Sequence, residues 1–269
     1  MLSIPASFYK ENEEHNQPAR LNMKLIRVHN YEEMSRRTAD LIAAQVNEKP
    51  DCVLGLATGN TPRGTYAQLI SDYEAGKVDF RSVRTVNLDE YRGLSPDSPH
   101  SYRYFMNKHL FEHINIVPAN THIPDGLSDE AEECARYEQL ISSLGGIDLQ
   151  LLGLGHNGHI GFNEPAQDFP RYTHLVELAA STIQANSRLF QSLEDMPRRA
   201  LTMGIGTIMQ AKRILLIVSG KDKKEALAQT LAGPIRPDFP ASVLQLHRDV
   251  TVIADEEALS EESHNIGTA

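Results

Sequence analysis

CVLGLATGNTPRGTYAQLISDYEA, residues Cys52 to Ala75, is the stretch on which the fold turns. Cys52–Ala57 is a short apolar run, Thr58–Pro62 is a loop carrying Gly59 and Pro62, and Thr65–Ala75 reads as a helix. A short apolar run bounded by turn residues reads as a buried strand, and a strand that feeds a helix is half of a βαβ unit. The same rhythm extends in both directions. Upstream, Lys24–Val28 is a strand, and Asn30 caps a helix with Glu33 at the capping-box position and a stripe of Met34, Leu41, Ile42 and Val46. Downstream, Val83–Leu88 is a strand that delivers Asp89 and Glu90 at its end, and a loop through Pro96 and Pro99 leads to a helix over Ser101–His113. Ser128 is expected to cap a further helix, and Ile147–Leu154 is a buried strand.

The second half repeats the pattern. Ser181–Ser192 reads as a helix, Ala200–Met203 as a short strand and Thr207–Ala211 as a helical turn. Arg213–Ser219 is a strand, Lys221–Leu231 a helix and Val250–Ala254 a last strand. Strands separated by helices imply a single doubly wound α/β domain over residues 23–269, with a mostly parallel sheet and helices on both faces. Residues 1–22 are polar and Pro-interrupted, Met23 follows them directly, and they read as a flexible extension.

Composition narrows the function. Of 269 residues, 41% are hydrophobic and 23% charged, ordinary values for a chain with a sizeable core. The formal net charge of −10 argues against nucleic acid as a partner, since such binders carry a basic face. It leaves room for a small anionic substrate, which a few local cations and backbone N–H groups can hold. The two cysteines, Cys52 and Cys134, form neither a disulfide framework nor a metal-binding spacing, and they suit reduced thiols in the cytoplasm. No apolar run approaches the roughly eighteen residues of a membrane span, and the N-terminus lacks the basic and apolar regions of a secretory signal.

In open α/β sheets, ligands collect beyond the carboxyl ends of the strands. That rule selects Thr58–Thr61, Asp89–Glu90, His156–Glu164 and Gly220–Lys223 as candidates for one pocket. Thr58, Gly59, Asn60 and Thr61 lie between a strand and a helix, where backbone N–H groups can face a phosphate. The loop is not a Walker A sequence, because Asn60-Thr61 stands where Lys-Ser/Thr is required. VSGKDKKEA is a second strand–loop–helix with Lys221, Lys223 and Lys224, which are either anion ligands or solvated surface lysines. In LGLGHNGHIGFNEP, Leu152–Pro165, the glycines match G-x-G-x-x-G, but Gly161 and Pro165 stand where a dinucleotide fold needs a helix. The absence of a helix also weighs against a zinc site on His156 and His159. Acid–base chemistry remains: Glu164, across a bend from His159, is placed to fix its tautomer and raise its pKa, with Asp89 as a separate base. The plain alternative is a structural His159 bonded to backbone.

GLATGNTPRGTY, VNLDEYRGL, SYRYFM, GLGHNGHIGFNEP, ANSRLF and SGKDKKEA, in this order and spacing, resemble the glucosamine-6-phosphate deaminase family from about Lys24 to Asp255. The resemblance implies a Rossmann-like domain, related to those of ribose-5-phosphate isomerase and 6-phosphogluconolactonase. It implies conversion of glucosamine 6-phosphate and water to fructose 6-phosphate and ammonia, a hydrolytic deamination in amino-sugar catabolism, with no metal or cofactor in the chemistry. By motif, it makes His159 the acid that opens the sugar ring, with Glu164 orienting and charging it. Asp89 is the base that takes the C2 proton, and Glu90 supports the pocket. The phosphate falls to Thr58–Thr61, Arg188 and Lys223.

Two departures stand out. Some members, including allosteric hexamers, have Asp where this chain has Asn157, so Glu164 is expected to hold the imidazole alone. The allosteric branch also has an Arg-x-Lys pair where YTHLVEL carries His174 and Val176, and a C-terminal helix where this chain ends shortly after VIADEEAL. The expectation is an unregulated monomer or small homo-oligomer that does not respond to N-acetylglucosamine 6-phosphate. Rival readings are galactosamine-6-phosphate deaminase, a lactonase that needs no C2 base, and a sugar-phosphate sensor.

Overall fold

The computed structural model of the protein describes residues 23–186 and 196–259. The expected extension over residues 1–22, Arg188 and the second half of the Ser181–Ser192 helix lie outside them. In chain order the main elements begin with β1 (Met23–Val28), α1 (Tyr31–Glu48), β2 (Val53–Leu56), α2 (Arg63–Glu74), β3 (Arg84–Asn87) and β4 (Asp89–Tyr91). Then come α3 (Tyr102–His109), β5 (Thr121–His122), α4 (Glu130–Ser143), β6 (Leu149–Gly153), β7 (His174–Glu177) and α5 (Ala180–Asn186). The last are β8 (Arg199–Thr202), α6 (Ile205–Met209), β9 (Arg213–Val218), α7 (Lys224–Ala232), β10 (Val250–Asp255) and α8 (Glu256–Leu259).

Seven strands form one sheet in the order β1-β10-β9-β6-β2-β3-β5, and every pairing within it is parallel. The alternating side chains of its strands feed two cores. Val53, Leu152, Ile214, Leu216 and Val252 pack with residues of α4, α6, α7 and α8. Leu54, Leu151, Leu215, Ile217 and Ile253 pack with residues of α1, α2 and α3. Period-two alternation sends successive residues to opposite faces, so strands apolar on both faces require helices on both. The doubly wound α/β reading therefore holds. From β2 the chain steps outward to β3 and β5, then returns to β6 on the other side of β2 and proceeds to β9 and β10. The order reverses between β2 and β6, and a crevice opens at such a point.

Local signals explain the element ends. Asn30 accepts from Glu33 N–H at 2.9 Å, as its cap position requires, while the Glu33 carboxylate accepts from His29 N–H one residue before the cap. The fourth helix is capped by Asp129, not Ser128: Asp129 accepts from Ala131 and Glu132 N–H, and Ser128 donates instead to Asp125. The α3 helix stops at His109, with a 3-10 turn covering Phe111–His113.

The alternating pattern does not show a second sheet. Residues 89–91 and 199–202 leave the main sheet and join β7 in a three-stranded antiparallel sheet, β4-β8-β7, with Asp89 opposite Thr202. The strand expected to carry Asp89 and Glu90 at its end thus stops at Asn87, and both acids begin the next strand. No described helix is long and apolar enough to cross a membrane.

Candidate active site

The second sheet joins two of the expected site segments. Asp89 on β4 pairs with Thr202 on β8, and the Thr202 hydroxyl accepts from Phe162 N–H at 3.0 Å. Asn163 Nδ2 donates to Ile160 O at 2.9 Å and Met203 O at 2.8 Å, while Met203 N–H donates to Leu88 O at 2.7 Å. Residues 154–173 therefore run as a helix-free loop pinned to β8, the strand paired with the one that bears Asp89. Gly161 stands beside Asp89 and Thr202, with φ of +59°; a Cβ there would lie 3.5 Å from Asp89 Oδ2 and 3.0 Å from Thr202 Oγ1. The backbone angle favours glycine at that position, and the contact with Thr202 is already tight.

Asp89 is 6% exposed, and its carboxylate has no hydrogen-bond partner among the described residues. Burial first, and the neighbouring Glu90 second, push its pKa up to about 8. Glu90 faces elsewhere. Its carboxylate accepts from Tyr91, Tyr102 and Arg103 N–H at 2.8, 2.9 and 3.0 Å, holding the first turn of α3; burial outweighs these bonds and pushes its pKa to about 7. It supports the pocket by fixing Tyr102, whose ring lies 4.8 Å from Tyr91 and 5.9 Å from Phe162. The Tyr102 hydroxyl lies beside Thr58, Tyr91 and Asp89. Tyr102 thereby stands between the Thr58 loop and Asp89. It lies within SYRYFM, and no spacing signal in the sequence marks it as a site residue.

His159 is held by its own loop. Its Nδ1 lies 2.7 Å from Asn157 Oδ1, which also accepts from His159 N–H at 3.2 Å. Asn157 Nδ2 donates to Glu164 Oε2 at 2.8 Å, and that oxygen is 3.6 Å from His159 Nδ1. The expectation that Glu164 holds the imidazole alone is therefore corrected: the amide stands between them. An ionised carboxylate only accepts, so Asn157 must turn its NH2 to Glu164 and its oxygen to the ring. The ring must then carry its proton on Nδ1, leaving the Nε2 lone pair open. The expected rise in the His159 pKa is also reversed. Burial lowers it, Lys223 and His156 lower it further, and the opposing pull of Glu164 does not compensate.

His156 turns away from His159, with Nε2 2.6 Å from Asp222 Oδ2 and Nδ1 3.3 Å from Lys223 Nζ. The two histidines thus have different partners rather than a shared centre. Lys223 closes a 3-10 turn after β9, begun by Gly220 at φ +96°, and burial lowers the pKa of its ammonium. The Thr58–Thr61 loop divides. Thr58 faces Tyr102, Gly59 takes φ +96°, and Asn60 and Thr61 line a cavity of about 700 Å³ with Arg63, Lys108 and His109. Arg188 lies outside the described residues. His174 and Val176 sit on β7, at the edge of the second sheet, where His174 Nδ1 is 3.0 Å from Tyr172 O.

Comparison with known proteins decides the family. The family model described as glucosamine-6-phosphate isomerases/6-phosphogluconolactonase matches residues 28–253. The chain belongs to this family. A glucosamine-6-phosphate deaminase of Geobacillus sp. (strain WCH70) is 62% identical over 239 residues, covering 88% of this chain and 95% of the relative. Glucosamine-6-phosphate deaminase 1 of Bacillus subtilis (strain 168) is 54% identical, over 88% of this chain and 99% of its own. A solved structure described as a monomeric glucosamine-6-phosphate deaminase superposes with a TM-score of 0.86 at 54% identity, covering 88% and 98% of the two chains. A 6-phosphogluconolactonase from Thermotoga maritima shares the fold, at a TM-score of 0.68 and 20% identity over 87% and 99%. Within the family, the resemblance in sequence thus runs to the deaminases.

Proposed function

We propose that this protein converts glucosamine 6-phosphate and water to fructose 6-phosphate and ammonia. The observation that carries this reading is the pinning of a buried carboxylate, Asp89, against the loop of a tautomer-locked histidine, His159. A lactonase needs no base at C2, whereas this arrangement supplies one.

The chemistry follows from the two groups. The pyranose must open before C2 becomes acidic, and a neutral imidazole with a free Nε2 can take the C1 hydroxyl proton and deliver it to the ring oxygen. Asp89 then removes the C2 proton beside the new aldehyde, the electron pair forms the C1–C2 double bond, and the aldehyde oxygen takes a proton from the substrate's C2 ammonium, giving an enolamine. Returned to C1 by the same carboxyl group, the proton leaves an iminium at C2. Water adds to that carbon, ammonia departs, and the C2 ketone remains. Lys223, Thr58–Thr61 and Arg188 are the assigned phosphate ligands; a cation set against its own burial gains from an anion beside it. Binding energy from the remote phosphate positions C1 and C2.

The active unit is a cytoplasmic monomer or small homo-oligomer that does not respond to N-acetylglucosamine 6-phosphate. Ammonia release coupled to glutamate dehydrogenase tests the reading, with glucosamine 6-phosphate and galactosamine 6-phosphate in parallel. Release from the gluco substrate is expected. Release from the galacto substrate alone changes the substrate but not the chemistry, and silence with both, from folded protein, overturns the proposal.

A further inference from the structure

The Glu164 carboxylate is gripped from both sides. On one side, Oε2 accepts from Asn157 Nδ2, which leads to His159. On the other, Oε1 accepts from the Thr182 hydroxyl and, at 3.4 Å, from Ala179 N–H. Thr182 lies on α5, eighteen residues further along the chain, and is 4% exposed. The two oxygens therefore have separate tasks: one faces the histidine relay, and the other fixes the carboxylate's rotation.

We infer that Thr182 is a positioning residue for His159, acting through Glu164 and Asn157. The argument is one of hydrogen-bond direction at each link. Thr182 donates to Oε1 and so turns Oε2 toward Asn157. Oε2 can only accept, so the amide presents its NH2 to it and its oxygen to the ring. The amide oxygen can only accept, so the neutral imidazole keeps its proton on Nδ1. Without the hydroxyl, Oε1 is a buried acceptor left with one long backbone bond, and the carboxylate gains by rotating toward any other donor. Asn157 then loses the shorter of the two bonds that fix its orientation and keeps only the 3.2 Å bond from His159 N–H. Both tautomers become accessible, and the Nε2–H form cannot accept a proton from the sugar. Thr182 also makes the docking of α5 a condition for a competent histidine, although no atom of Thr182 is assigned to the substrate.

The catalytic part of this inference rests on the function proposed above; the tautomer part does not. Imidazole ¹⁵N NMR at pH 8, with the His159 signals assigned by loss in His159→Gln, reads the tautomer directly. Wild type should show the Nδ1–H form, Thr182→Val a mixture with Nε2–H, and Thr182→Ser, which keeps the hydroxyl, the wild-type pattern. In parallel, Thr182→Val should lower kcat about ten- to a hundredfold with KM changed less than about threefold, and Thr182→Ser should restore most of the rate. If wild type releases no ammonia, the function falls, but the NMR series still decides the positioning role. An unchanged His159 tautomer in Thr182→Val overturns the inference. If Thr182→Val does not fold, Thr182→Ala is measured in its place, with the same two outcomes.

Discussion

The Asn157 amide bridges a carboxylate and an imidazole, with Oδ1 2.7 Å from His159 Nδ1 and Nδ2 2.8 Å from Glu164 Oε2. The bridge passes on orientation but not charge, so burial governs the histidine and its pKa is held below the ordinary value. Asn157→Asp places a second carboxylate against the ring and should raise that pKa. The proposed ring opening uses a neutral imidazole, so the His159 limb of the kcat profile, which lies below that of Asp89, should move to higher pH, with severalfold less activity at pH 6. A pH–rate series on the two proteins checks this; a shift to lower pH contradicts the assigned role.

Asp89→Asn removes the proposed C2 base and should lower kcat by about 10²–10⁴-fold. The same substitution has a signature in stability. The carboxyl pKa in the folded protein, about 8, lies above its ordinary value of 3.8, so the folded state binds the proton more tightly than the unfolded chain. Stability from this group is full below about pH 4 and is lost as pH rises through about 8. The variant carries no such titration. Its Tm relative to wild type should rise between pH 5 and pH 9, by roughly 3–6 °C, measured by differential scanning calorimetry.

Gly155→Ala should affect activity more than folding. A Cβ at residue 155 would lie 2.3 Å from the His159 Nδ1 and Cε1 atoms, although the backbone there does not take a positive φ. The ring must move away, and Asn157 cannot follow without releasing Glu164. A drop in kcat of about a hundredfold or more is expected, with Tm lowered by only a few degrees. Near-wild-type kcat would mean that the ring position is not critical.

Glu90→Gln replaces one of two accepting oxygens with a donor that faces a backbone N–H at the start of α3. The clash and lost bonds should cost about 1–3 kcal/mol, or a Tm lower by roughly 3–8 °C. Glu90 also contributes to the raised Asp89 pKa. The rise of activity with pH through the Asp89 pKa should therefore move to lower pH. Thermal melts and a pH–rate series on this variant test the two roles separately.

Much of this was legible in the chain itself. Strands such as Cys52–Ala57 and Arg213–Ser219 are short, apolar on both faces and set between helices, and local spacing is enough to require a doubly wound parallel sheet. Asp89, His159 and Glu164 lie in the segments that follow β3 and β6, on the side where such a sheet gathers ligands, and the motif resemblance supplied their proposed roles. The helix caps were harder to place: Ser128 and Asp129 are both good caps, and only the geometry of the turn selects Asp129.

Tertiary structure decided what depends on residues distant in sequence. The antiparallel pairing of Asp89 with Thr202 joins segments 113 residues apart, and no local pattern in either predicts it. The pKa directions of Asp89 and His159 likewise follow from burial, which composition and spacing do not specify. The bond from Thr182 to Glu164 connects a helix to a loop through one hydroxyl, leaving no periodic trace. Sequence determined the elements, because their signals are local; tertiary structure decided the partners of each functional side chain, because burial and hydrogen-bond direction exist only after the elements have packed.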